Sequence, residues 1–199
     1  MNKRTHWNIA RLCSRKIEEL FPEHKMGEIK KILFCLGNIE PDLSIVQFIH
    51  PHFYEKSADY IYSEIKEMYN KDKKGLFEAY KLGKLVHYLC DFCCFAHCGG
   101  MGKITSHIAY EYKINKYLNI NYDQFDQKKI KIPKYADIIL YIDTNIKQYR
   151  LACPSYMIDI EKSIEISMAL AFNMLSDLQF QSFKNQFFSN EDSVAVCLY

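Results

Sequence analysis

The side chains best suited to chemistry in this sequence are histidines and carboxylates one helical turn apart. His87 and Asp91 are four residues apart, so on a helix they lie on one face. His107 and Glu111 repeat this spacing, and His97 lies between the two pairs. Imidazole and carboxylate groups together suit zinc, and a zinc site that leaves one position to water can be catalytic. The spacing therefore predicts a site for more than one divalent metal ion.

The metal prediction depends on clustering, because one His–carboxylate pair on a helix often arises by chance. Three of the seven histidines fall between residues 87 and 107, beside two acids. The neighbouring cysteines offer a competing thiolate zinc site, built from the pairs Cys90–Cys93 and Cys94–Cys98. On a continuous helix, however, Cys90 and Cys93 lie on a different face from the His–Asp pair.

The elements that must position these residues are predicted to be helices. The chain has 199 residues with only seven Gly and five Pro, fewer breaks than an all-β chain requires. We predict one compact all-α domain over residues 1–199, with about six or seven helices. They are expected near 6–20, 24–36, 53–69, 75–95, 105–118, 135–149 and 157–187, with residues 119–133 irregular.

Three upstream segments could bring further ligands to these helices. Thr5 is expected to cap the first helix, with His6 in its first turn. Gly37 suits a left-handed position at a helix end, and Pro41 is expected to hold Glu40 extended, so that Asp42 is presented from a rigid turn. Further on, two histidines flank a proline, at positions 50 and 52.

Composition excludes several functional classes. The net charge of +2 gives no strong electrostatic signal for nucleic acid, and the basic runs at 71–74 and 128–134 are interpreted as solvated loops. No run is long and apolar enough for a membrane helix, and no signal peptide is visible. Eight cysteines without an export signal favour reduced thiols, so we expect a cytoplasmic protein, or a secreted one if a leader has been removed.

These motifs resemble the bacterial zinc-dependent phospholipases C, whose fold is shared with the alpha-toxin catalytic domain and the S1/P1 nucleases. His87-Tyr88-Leu89-x-Asp91-x5-His97 is similar to the family's H-Y-[LF]-G-D-x5-H block, with Cys90 in place of the glycine. His107-x3-Glu111 is similar to its H-x3-E motif. The resemblance continues upstream at His6, at Gly37-x3-Pro41-Asp42 and at His52-Phe53.

The resemblance implies two or three zinc ions. One would be held by His97, His107 and Glu111, a second by Asp42, His52, His87 and Asp91, and a third by His6 with Asp91. His50 is the alternative to His52. In the family a mature N-terminal tryptophan completes the third site, whereas here Trp7 follows His6, which leaves that site empty, weak or completed by Met1. With these ligands the coordination sphere is full, so Cys90, Cys93 and Cys94 are expected to be buried packing residues, and Cys98 is the exception left open.

The resemblance also implies a phosphodiester hydrolase. Zinc would lower the pKa of a water molecule to about 7, and Asp42 would be both ligand and general base. A phospholipid substrate would give diacylglycerol and a phosphorylated head group. Three alternatives stay open: an S1/P1-type nuclease, which prefers aspartate where this chain has Glu111, a non-catalytic zinc-binding helical module, and a helical domain with a single structural zinc.

Overall fold

The computed structural model describes residues 1–70, 75–99, 103–130 and 137–191. These residues form nine α-helices and three short 3-10 turns, without a strand, which confirms the all-α prediction. The helices are α1 (Lys3–Leu20), α2 (Glu28–Gly37), α3 (Val46–Ile49), α4 (Tyr54–Asn70), α5 (Leu76–Phe92), α6 (Ile104–Ile120), α7 (Tyr122–Gln127), α8 (Ile138–Leu151) and α9 (Tyr156–Glu191). The 3-10 turns are Pro22–His24, Pro41–Leu43 and Phe95–His97.

Helix α5 is the centre of the fold. Almost every side chain from Leu82 to Phe92 is buried, and a helix that is apolar on nearly all sides has to be enclosed by others. Helices α1, α2, α4 and α9 all pack against it. His87 and Asp91 therefore lie inside the molecule, where a polar group needs partners.

Two glycines allow α2 and α5 to approach each other closely. A Cβ on Gly37 would overlap the carbonyl oxygen of Tyr80, and a Cβ on Gly83 would overlap that of Phe34. The prediction that Gly37 takes a left-handed conformation is wrong, because it is the last residue of α2 and among the described glycines only Gly99 has a positive φ. Gly37 therefore allows α2 and α5 to pack closely, and it does not form a left-handed turn.

Local structure differs from the sequence predictions at several points, including the ends of α2 and α5 and the short helix α3, which was not predicted. Asn2, not Thr5, caps α1, since its Oδ1 accepts the Thr5 N–H at 3.1 Å. Glu40 is helical (φ −63°, ψ −41°), because its N–H continues the end of α2 by bonding to the Leu36 carbonyl. The segment expected to be irregular contains α7, whose Phe125 is buried in the core.

Two predicted loops fall wholly or partly outside the described residues: the basic run at 71–74 and the second half of the basic run at 128–134. Within the described part of the chain, no helix combines the length and the apolar character needed to cross a bilayer.

Candidate metal centre

Six elements and connections bring the eight predicted metal-binding side chains into one cluster. Helix α1 carries His6, the Pro41–Leu43 turn carries Asp42, and the segment before α4 carries His52. Helix α5 carries His87 and Asp91, the Phe95–His97 turn carries His97, and α6 carries His107 and Glu111. Their ligand atoms form three groups, within each of which all atoms lie within 4.8 Å of one another.

Asp91 is fully buried and connects the groups through its two oxygens. Oδ1 lies 3.2 Å from His6 Nε2 and 3.4 Å from His97 Nε2. Oδ2 lies 3.0 Å from His52 Nδ1 and 3.4 Å from His87 Nε2. One carboxylate therefore faces two sets of imidazoles, an arrangement suited to bridging two cations.

Asp42 completes the group that contains His52 and His87. Its Oδ1 lies 3.7 Å from a ring nitrogen of each histidine. His50, the sequence alternative, is outside this group and stacks on Tyr60 with ring centroids 3.6 Å apart. The structure thus places His52, and not His50, beside Asp42, a choice that sequence spacing alone left open.

The third group joins α6 to the Phe95–His97 turn. Glu111 Oε1 lies 3.1 Å from His107 Nε2 and 3.3 Å from His97 Nε2. The His107–Glu111 spacing of four residues places both on one turn of α6, as the sequence predicts.

The spacing of these atoms fits zinc coordination. Zinc–nitrogen and zinc–oxygen bonds of about 2.0–2.2 Å in a tetrahedron place neighbouring ligand atoms roughly 3.3–3.6 Å apart. The distances between site atoms given above range from 3.0 to 3.7 Å. In addition, Nδ1 of the buried His6 makes no hydrogen bond within the described residues. Such a nitrogen is costly to bury unless a metal or another group binds it.

The amino group of Met1 lies among the same atoms. It contacts Asp91 Oδ1 and lies 3.0 Å from His97 Nε2 and 3.3 Å from Glu111 Oε1. Burial opposes its charge, but the surrounding groups, among which the Asp91 carboxylate contributes most, together outweigh burial and raise the pKa of this amine well above its usual value. A positive group therefore occupies the point at which the acidic side chains converge.

Burial and neighbouring charges raise the pKa values of some site residues and lower those of others. Burial raises the pKa of Asp42, with a further contribution from the Asp91 carboxylate. Burial also opposes ionisation of Asp91, but the charges of His97, the Met1 amine and His6 hold its pKa well below the usual value. Burial lowers the pKa of His97 to about 4, so its ring is neutral near pH 7, the form that binds metals.

Asn38, which sequence analysis missed, orients the His87 ring and also holds the backbone at His6. Its carbonyl oxygen lies 3.0 Å from His87 Nδ1, which leaves Nε2 directed at the carboxylates. Its side-chain Nδ2 donates to the His6 carbonyl at 2.8 Å. A partner on the far ring nitrogen fixes the tautomer and orientation of a metal-binding histidine. No sequence motif marks it, because both contacts are long-range.

A second buried group supports the opposite side of the centre. Asp159 of α9 accepts hydrogen bonds from the Phe95 N–H at 3.0 Å and from the hydroxyls of Tyr110 and Tyr149, both at 2.8 Å. Phe95 begins the turn that carries His97, and Tyr110 precedes Glu111 on α6. Asp159 thus fixes the two elements that present the His97–His107–Glu111 group.

The cysteines near the centre are packing residues. Cys90, Cys93 and Cys94 are buried, and no described cysteine belongs to the three groups of ligand atoms. Cys90 Sγ lies 3.4 Å from the Ser167 hydroxyl on α9. Cys98, the exception left open, is half-buried with its Sγ 3.5 Å from the Cys94 carbonyl.

The centre opens into a cleft of about 680 Å³. Asp42, His52, His97, His107 and Glu111 all line it. Lys3 and Arg4 also line it, both exposed, and none of the ion pairs in the described ranges involves them. A cluster of metal-type ligands beside free positive charge suits an anionic substrate.

Comparison with known proteins agrees with this chemistry. The family model described as zinc dependent phospholipase C matches residues 5–156, a span that includes all eight predicted side chains. Searches of curated proteins and of solved structures gave no match.

Proposed function

Because the chain belongs to the zinc-dependent phospholipase C family, we propose that it hydrolyses a phospholipid to diacylglycerol and a phosphorylated head group. The observation that supports this activity is the convergence of three groups of His, Asp and Glu ligand atoms on one open cleft. A structural zinc site is closed by four protein ligands, whereas a catalytic one keeps a position for water. Access from a cleft favours the second kind.

The proposed ligands are the eight residues that the sequence predicts. One zinc ion would be held by His97, His107 and Glu111, a second by Asp42, His52, His87 and Asp91, and a third by His6 with Asp91. When bound, zinc neutralises charge on a phosphodiester and lowers the pKa of water.

The chain's own residues would perform the remaining tasks. Asp42, whose pKa is raised and which lies at the edge of the centre, would accept the proton of the attacking water. Lys3 and Arg4 would attract the phosphate into the cleft. Asn38 would keep His87 Nε2 directed at the centre.

The test is His107→Ala, since His107 is the ligand whose ring is partly exposed at 24 % and whose loss should leave the fold intact. Zinc per chain should fall by one. Phospholipid hydrolysis should fall by at least about 100-fold, because one metal ion contributes several kcal/mol of charge stabilisation. His50→Ala is the matched control, a histidine outside the ligand groups that should keep both zinc and activity.

Two results would contradict the proposal. One is an unchanged zinc content in His107→Ala. The other is a wild-type protein that cleaves short oligonucleotides and not phospholipids, which would make it a nuclease of the same fold.

A further inference from the structure

Helix α6 exposes large apolar side chains beside the metal ligands. Ile104 is 77 % exposed, and Ile108 and Tyr112 follow it at four-residue intervals, both also exposed. Positions 104, 107, 108, 111 and 112 share one helical face. The apolar row therefore runs along the same side of α6 as His107 and Glu111, and Tyr112 itself lines the cleft.

A second group of exposed apolar side chains lies on the segment between two other residues that line the cleft. The segment 43–49 begins directly after Asp42 and ends shortly before His52, and both of these residues line the cleft. It exposes four large apolar side chains, Leu43, Ile45, Phe48 and Ile49, with Phe48 80 % exposed. Seven exposed apolar residues thus lie on the two chain segments that carry cleft-lining residues, more than scattered surface exposure explains.

Positive charge accompanies these apolar residues. Lys3 and Arg4 line the cleft, and Lys103 directly precedes Ile104. All three side chains are exposed, and none of them forms an ion pair with another described residue. Apolar side chains beside basic ones match a bilayer that contains anionic lipids, where the former enter the interface and the latter meet the head groups.

We infer that these residues form a docking surface whose partner is an anionic phospholipid membrane. The docking surface consists of seven apolar and three basic residues: Leu43, Ile45, Phe48, Ile49, Ile104, Ile108 and Tyr112, with Lys3, Arg4 and Lys103. The biological role of this surface rests on the proposed function, because a diacyl phospholipid resides in a bilayer and its head group must reach the cleft from there. Docking itself requires no hydrolysis, so it can be measured separately.

The experiment uses sedimentation with vesicles of phosphatidylcholine and phosphatidylserine at 4:1, and with phosphatidylcholine alone. Wild type should bind the mixed vesicles more tightly, and salt should weaken that binding. The double variant Phe48→Ser/Ile104→Ser should lose at least about tenfold in partition coefficient, since even partial burial of two such side chains contributes over 1.4 kcal/mol. Its hydrolysis of a soluble short-chain phosphodiester should remain within about twofold of wild type, since neither residue is a ligand.

Phe77→Ser is the matched control. Phe77 is 71 % exposed, but it lies in the first turn of α5, roughly 15 Å along the helix axis from His87. It should bind vesicles like wild type. Three results would each overturn the inference. The control could lose as much vesicle binding as the double variant, or the double variant could bind vesicles like wild type. The third is that wild type is a dimer and the double variant a monomer. Vesicle binding as expected without any phospholipid hydrolysis would instead overturn the proposed function and leave the docking surface standing.

Discussion

At the scale of single residues, two aspartates of the centre differ in their surroundings. Asp91 is fully buried and its pKa is held low, because cationic groups outweigh the effect of burial. Asp42 is partly open to the cleft, and burial raises its pKa. A carboxylate with raised proton affinity at the edge of a cleft suits a base, while a permanently ionised one suits a ligand.

Asp42→Asn is expected to keep most of the zinc, since the amide oxygen can still bind it and three other ligands of that site remain. The rate constant kcat should fall roughly 10²–10⁴-fold, the usual contribution of a general base. Steady-state kinetics with zinc analysis on the same preparation measures both effects. Asp59→Asn, an exposed aspartate of α4, is the control. Activity within a few-fold of wild type would assign the base to another residue.

At the scale of elements, the crossing of α2 and α5 sets the position of the centre. Helix α5 carries His87 and Asp91, and the chain leaving α2 carries Asn38 and Asp42. Gly37 and Gly83 let the two helices approach until backbone meets backbone. The distance between these helices therefore determines whether Asn38 reaches His87.

Gly83→Ala should destabilise the protein, although Ala in a helix interior is normally favoured over Gly by about 1 kcal/mol. The added methyl group would overlap the Phe34 carbonyl and force α2 away, at a cost of about 1–3 kcal/mol or more. Denaturant unfolding measures this loss, and zinc should also be released at lower chelator concentration. Gly27→Ala, which adds a methyl group with no atom within 4 Å, should change stability by no more than about 1 kcal/mol. A stabilised Gly83→Ala would show that the helices are not in tight contact.

At the scale of the whole molecule, several cysteine thiols lie in the core, and their burial there suppresses their ionisation. Burial raises the pKa of Cys35 to about 11 and that of Cys90 to about 12. Unfolded thiols ionise above about pH 9, while these folded ones stay protonated. The unfolded state then binds fewer protons, so the free energy of unfolding falls as pH rises from 9 towards 11–12.

Each of these two thiols should contribute about 1.4 kcal/mol to the loss of stability at pH 10. The measurement is urea unfolding at pH 7.5 and at pH 10, for wild type and for Cys35→Ala/Cys90→Ala. The double variant is less stable at neutral pH but should show the smaller further loss at pH 10. Equal losses in the two proteins would mean that the thiols ionise in the folded state.

Local motifs made the helices and most of the centre predictable, and tertiary packing determined the rest. His87, Asp91, His107 and Glu111 were found because four-residue spacing on a helix fixes a shared face. The resemblance of His52-Phe53 favours His52 over His50, while spacing alone does not separate them; in the structure His52 lies 3.0 Å from Asp91 and His50 stacks on Tyr60. The helical conformation of Glu40 was missed because the end of α2 overrides the preference of a residue before proline.

The hydrogen bonds to Asp159 have a consequence for where the functional unit ends. The matched residues stop at 156, three positions before this aspartate. A polypeptide cut there would retain all eight proposed ligands, yet the Phe95 N–H and the hydroxyls of Tyr110 and Tyr149 would lose their acceptor. Phe95 and Tyr110 belong to the two elements that carry His97 and Glu111, so both elements would lose a contact that holds them in place. The smallest fragment expected to keep the centre intact therefore extends into the last helix, which supplies none of the proposed ligands.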